Sequence, residues 1–188
     1  MDKKTLEDAL RGYIATIKAD FYAGGDFKLF GMYTVVPTVR VEDDYGNNAT
    51  LTTFDGGTAG VEVTEGLLTF CDDDVIRLGA CHELGHAFSE RVLTNIGLAG
   101  ASGAVTEVIA DLGAAYLLNR SGRTWTQVRE AALKGEAQHI FDPGWKGDHP
   151  PAKKRVETID SLAHLMESGF SFADAAKGIC LSCQGMKA

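Results

Sequence analysis

No stretch of this sequence approaches the roughly 20 apolar residues in a row that a helix needs to cross a bilayer, which excludes a transmembrane helix among them. The opening segment MDKKTLEDALRGYIATIKAD carries charges throughout and has no secretory apolar core. The chain is therefore expected to be soluble and cytoplasmic, although an exported form with its signal removed would read the same way. Positive charge is in short supply: Lys plus Arg is 18 against 26 for Asp plus Glu, a formal net charge of -8. An acidic surface repels phosphate, so nucleic acid and anionic membrane surfaces are not expected partners. Cysteine is scarce too. Cys71, Cys81, Cys180 and Cys183 are too few for a disulfide framework in 188 residues. Only Cys180 and Cys183 form a C-x-x-C, whereas a four-cysteine zinc site ordinarily pairs two such knuckles. Reduced thiols are the expectation, with a disulfide involving the C-terminal pair as the alternative. Internal repeats and low-complexity tracts are absent.

What remains is a composition of 45% hydrophobic and 23% charged residues, enough apolar material for one folded domain spanning residues 1–188. Leu6, Leu10, Tyr13, Ile14, Ile17 and Phe21 recur at three- and four-residue steps, the pattern of an amphipathic helix that Gly24-Gly25 would end. Residues 28–63 turn β-rich: MYTVVPTVRV, whose proline suits an edge strand, then ATLTTF, then the alternating GVEVT. This reads as a small antiparallel or mixed sheet. Beyond Thr64 the signals are helical, with acids at 72–74 opening a helix through VIRLGACHELGHAFSERVL. After a Gly-rich loop at 97–103 comes VTEVIADLGAAYLLN, then a capping-box helix from Thr124 and Gln127, then KRVETIDSLAHLME. A last short helix starts at Ser171. Helix, strands, then a run of helices gives an α+β fold class.

The sharpest feature is His82-Glu83-Leu84-Gly85-His86, an H-E-x-x-H on a predicted helix. Four residues turn a helix by about 400°, so both imidazoles project from one face and can share a zinc ion, with Glu83 aimed at its water. The plain alternative is two surface histidines. A catalytic zinc needs a third protein ligand and an open position. The residues after His86, AFSERVLTNIG, lack the metzincin third histidine, so the next candidate is Glu107. Glu107 and Asp111 are also four apart and share a face. They sit in an apolar segment, VIADLGAAYLL, where unpaired charge is costly, which favours function over a solvated acidic stripe. Glu107 could complete a His-His-Glu site, and Asp111 could accept from the far ring nitrogen of a ligand histidine. His139 and His164 have no such support.

The arrangement resembles the gluzincin metallopeptidases, and within them the family of HtpX, the CAAX prenyl endopeptidases and the minigluzincins. The stretch 60–68, GVEVTEGLL, resembles that family's strand and entry to the zinc helix. Asn48 and Ala49 resemble the Asn-Ala opening of its substrate-binding edge strand. Asp148-His149-Pro150-Pro151, with Arg155 a turn into the next helix, resembles its downstream His-Pro segment. The resemblance covers roughly residues 45–160 and implies a zincin-like fold. It departs at Thr50, where members often carry an aromatic, and in lacking the membrane spans many of them have. It implies one zinc held by His82, His86 and Glu107, Glu83 as general base, and His149 polarising the scissile carbonyl, with Arg155 supporting that segment. The implied activity is a zinc-dependent endopeptidase that binds its peptide or protein substrate as an extended strand near residues 48–54. Two other readings stand beside it. One is an ImmA-like regulatory gluzincin, which leaves the His-Pro stretch unexplained. The other is a zinc-stabilised binding module without turnover, for which Glu83 has no use.

Overall fold

The N-terminal apolar periodicity folds as helix α1, Lys3–Tyr22, burying Leu6, Leu10, Tyr13, Ile14 and Ile17. The Asp2 side chain caps it by accepting from the Thr5 amide, and Ala23 ends it in the left-handed conformation (φ 50°). This computed structural model describes residues 1–138, 140 and 150–183. Four strands follow: β1 at Lys28–Leu29, β2 at Tyr33–Glu42, β3 at Ala49–Phe54 and β4 at Thr58–Thr64. Six more helices complete the described chain: α2 at Glu65–Phe70, α3 at Asp73–Asn95, α4 at Gly103–Arg120, α5 at Trp125–Ala137, α6 at Ala152–Glu167 and α7 at Phe172–Cys183. The class is α+β, with one four-stranded sheet and seven helices among the described residues.

The sheet is mixed, in the order β1-β2-β4-β3, with β2 parallel to β4 and the other pairs antiparallel. Pro37 does not mark an edge strand as its sequence context suggests, because β2 lies between β1 and β4. The ladder absorbs the proline locally. Its register shifts between Val35 and Val39, and β1 pairs only with Tyr33 and Thr34, so the missing N–H falls where regular pairing lapses. The true edge beside the helices is β3, which packs on α3.

Helix α4 is apolar around nearly its whole circumference and occupies the middle of the helical half, packed on α3, α6 and α7. Its approach to α3 depends on Gly85: a Cβ there would lie 2.7 Å from both the Cα and the carbonyl oxygen of Ala110. The two helices therefore touch backbone to backbone within the H-E-x-x-H turn. Helix α5 begins with both halves of a capping box, Thr124 and Gln127. The four cysteines are buried and free. None of the described helices is long and apolar enough to cross a membrane.

Candidate metal centre

The four-residue step within α3 places His82 and His86 on the face that meets α4, with Nε2 of one ring 3.0 Å from Nε2 of the other. Because α4 crosses at Gly85, Glu107 one turn before Ala110 comes to the same point. Its carboxylate oxygens lie 3.4 Å from His82 Nε2 and 3.4 Å from His86 Nε2. Ligand atoms around a tetrahedral ion bonded at about 2.1 Å are about 3.4 Å apart, so the three side chains fit one metal ion. All the candidate ligand atoms lie within 4.8 Å of one another, His82 and Glu107 buried and His86 partly exposed. Two imidazoles and one carboxylate can hold a divalent cation and leave a further position for a small ligand.

Asp111, one turn beyond Glu107 on α4, lies 2.9 Å from Nδ1 of His82. With the proton on Nδ1 and shared with Asp111, the Nε2 lone pair of His82 is directed at the metal position. Arg155 of α6 closes the cluster from the other side. Its Nε donates to Asp111 Oδ2 at 2.9 Å and its Nη2 to Asp111 Oδ1 at 2.6 Å, with Nη2 also 3.0 Å from His82 Nδ1. Asp111 is 2% and Arg155 5% exposed, so this is a fully desolvated bidentate pair. Burial alone would push the Asp111 carboxyl up, yet Arg155 and His82 hold it well below the usual carboxylate range. For His82, burial and the Arg155 charge favour the neutral ring. The hydrogen bonds to Asp111 and Glu107 outweigh them and raise its pKa to about 9.

Glu83 stands beside this cluster without joining it. Its Oε2 accepts the Leu51 backbone N–H at 3.1 Å, tying the carboxylate to β3, and burial raises its pKa above the ordinary glutamate value. Asn48 exchanges backbone contacts with Thr64: its carbonyl accepts Thr64 N–H at 3.0 Å and its N–H donates to Thr64 Oγ1 at 3.0 Å. Since Asn48 and Thr64 form a hydrogen-bonded pair, alternation along the ladder turns the main-chain groups of Ala49, Leu51 and Thr53 away from β4. The outward-facing edge therefore starts at Ala49, and Asn48 contributes no free backbone to it. No family model matches this chain, and no curated protein and no solved structure matches it.

His82, His86, Glu107, Asp111 and Arg155 thus come together, with Glu83 beside them bonded to Leu51 of β3, the strand that Ala49 opens; His149 and His139 lie outside the described residues. Arg155 holds Asp111 and lies against His82. A signal for it exists in α6, where Arg155 occupies the buried register of Ala152, Ile159 and Leu162, a position that a solvated arginine would avoid. Leu51 carries no sequence signal, because its contribution is a backbone N–H.

Proposed function

We propose that this chain is a zinc-dependent endopeptidase of the gluzincin type with a zincin-like fold, cleaving an extended peptide laid along β3. The observation that carries the reading is the convergence of His82, His86 and Glu107 on one point, with the Glu83 carboxylate beside it anchored to β3. Zinc held there supplies a positive charge that acidifies a water and polarises a carbonyl oxygen. His82, His86 and Glu107 would hold the ion as its protein ligands, a set of three as in catalytic rather than structural zinc sites. Asp111 and Arg155 fix the ring of His82 and its tautomer.

Glu83 is the general base. It takes the proton of the attacking water and passes it to the leaving amine, and its raised pKa brings it nearer to the working pH than an exposed glutamate. The Leu51 N–H keeps its carboxylate facing the site. The outward groups of Ala49 and Thr53 and the Leu51 carbonyl offer an added strand main-chain hydrogen bonds, which give affinity with little sequence preference, while the Leu51 N–H stays with Glu83. His149 is assigned by resemblance alone to the scissile carbonyl.

The deciding experiment compares wild-type protein with Glu83→Gln, measuring zinc by elemental analysis and cleavage of an unfolded protein such as casein. Both proteins are expected to bind one zinc per chain. Wild type is expected to cleave in a chelator-sensitive way, and the variant to lose about 10²–10⁴-fold in rate. Bound zinc without chelator-sensitive cleavage by wild type overturns the assignment and favours a zinc-stabilised binding module. Cleavage by the variant at wild-type rate removes Glu83 from the mechanism.

A further inference from the structure

Beside the metal centre lies an open cavity of about 590 Å³ that includes His86 and Leu51 on its inner side. One wall is the α3 surface at Ala87, Glu90 and Arg91, and the opposite wall is Leu29, Phe30 and Gly31. That second wall is a tight turn. The Met32 N–H donates to the Leu29 carbonyl at 3.1 Å, and both central residues have positive φ, 53° at Phe30 and 69° at Gly31. Such a turn takes Asn, Asp or Gly at its first central position, and a phenylalanine there is strained. The ring gains nothing from the fold in exchange, since Phe30 is 75% and Met32 66% exposed. A strained backbone holding a large apolar side chain in solvent, at the lip of a cavity that His86 also lines, points to recognition.

We propose that the turn at Leu29, Phe30 and Gly31 and this cavity form a side-chain pocket that selects a large apolar residue of an extended peptide, close to the bond presented to the metal centre. The inference rests on the endopeptidase reading for its substrate. The charges at the mouth fit an apolar occupant. Arg91 donates Nε to the Phe21 carbonyl at 3.2 Å and lies over the Tyr22 ring, and Lys28 pairs with Asp26 at 3.7 Å. Both cations therefore have partners within the protein, while exposed Glu90 at the rim disfavours an acidic side chain. A peptide strand on β3 runs past Leu51, and its side chains alternate between two faces. One face leads into the cavity, and a buried leucine or phenylalanine there loses its contact with water against Leu29, Phe30 and Leu51.

The test uses zinc-loaded Glu83→Gln protein and peptides that differ only in Phe or Ala at each position flanking the intended scissile bond. Binding is followed by fluorescence anisotropy, and turnover by wild type is measured on the same peptides. At one position the Phe peptide is expected to bind about tenfold or more tightly than the Ala peptide. Adding Phe30→Asn is expected to abolish that preference while leaving the zinc content unchanged and the thermal midpoint equal or raised, because Asn tolerates the left-handed turn. Equal binding of both peptides, or a preference that survives Phe30→Asn, overturns the pocket. Selective binding without cleavage by wild type upholds the pocket and overturns the endopeptidase reading instead.

Discussion

Asp111 carries more than its own charge. It accepts both donors of the Arg155 fork and stands at Nδ1 of His82, all three side chains lying in a nearly dry interior. Asp111→Asn takes from the buried Arg155 fork the charge of the carboxylate that accepts both of its donors. The variant is expected to lose about 3–5 kcal/mol in denaturant unfolding of the metal-free protein and about 10–100-fold in metal affinity. Equal stability of variant and wild type would show that Arg155 finds another route to water. The raised pKa of His82 sets the pH behaviour. Its folded value, about 9, lies above the unfolded one of about 6.5, so the metal-free protein keeps the His82 proton at neutral pH. The stability drawn from that proton is full below about 6.5 and is lost as pH rises through about 9. A metal ion takes the same ring as a neutral ligand and must displace the proton. Metal affinity is therefore expected to rise about tenfold per pH unit from 7 towards 9 and then level off. Calorimetric titration in buffers of different ionisation enthalpy should show close to one proton released at pH 7, and an affinity flat across this range would remove His82 as the protonated partner.

Between the elements, the centre depends on how closely α3 and α4 cross. His82, Glu83 and His86 were legible because their geometry is local to one helix and follows from a spacing of four. Glu107 and Asp111 were legible for another reason, as acids in an apolar helix that needs an explanation for them. The crossing itself was not legible: Gly85 is one of the two variable positions of the motif, and nothing local says that a second backbone lies against it. Nor was the pairing of Arg155 with a residue 44 positions earlier, or the interior place of β2 despite Pro37. Each of these is fixed by chain packing, which a single sequence encodes only through its whole fold. Gly85→Ala tests the crossing. The added methyl would sit 2.7 Å from the Ala110 backbone, which no side-chain rotation relieves, so α4 must move away and carry Glu107 with it. A loss of about 1–3 kcal/mol in stability is expected from overpacking, with a larger proportional loss in metal affinity than in secondary structure by circular dichroism. Wild-type metal affinity in this variant would mean that Glu107 reaches the histidines independently of the helix crossing.

For the molecule as a whole, the centre joins elements that are far apart in the chain. It draws His82 and His86 from α3, Glu107 and Asp111 from α4, and Arg155 from α6, while Glu83 reaches across to β3. Without an ion, two imidazole nitrogens 3.0 Å apart and a carboxylate share a small volume, and the protein must satisfy them through protonation and contacts with one another. An ion held by His82, His86 and Glu107 would replace those contacts and tie α3 to α4. Because the ligand set exists only in the folded chain, binding stabilises the folded form by mass action, by about 4 kcal/mol at a free metal concentration 1,000 times Kd. In a chain of 188 residues each kcal/mol moves the midpoint by about 2–4 °C, so zinc is expected to raise it by about 8–16 °C over chelator-treated protein. Scanning calorimetry with stepwise zinc addition reads this directly, and His86→Ala should remove most of the shift. Calcium or magnesium, which prefer six or more oxygen ligands, should shift it far less than zinc. A midpoint indifferent to zinc in wild type would mean that the convergence of α3 and α4 serves packing alone, and the proposed activity would fall with it.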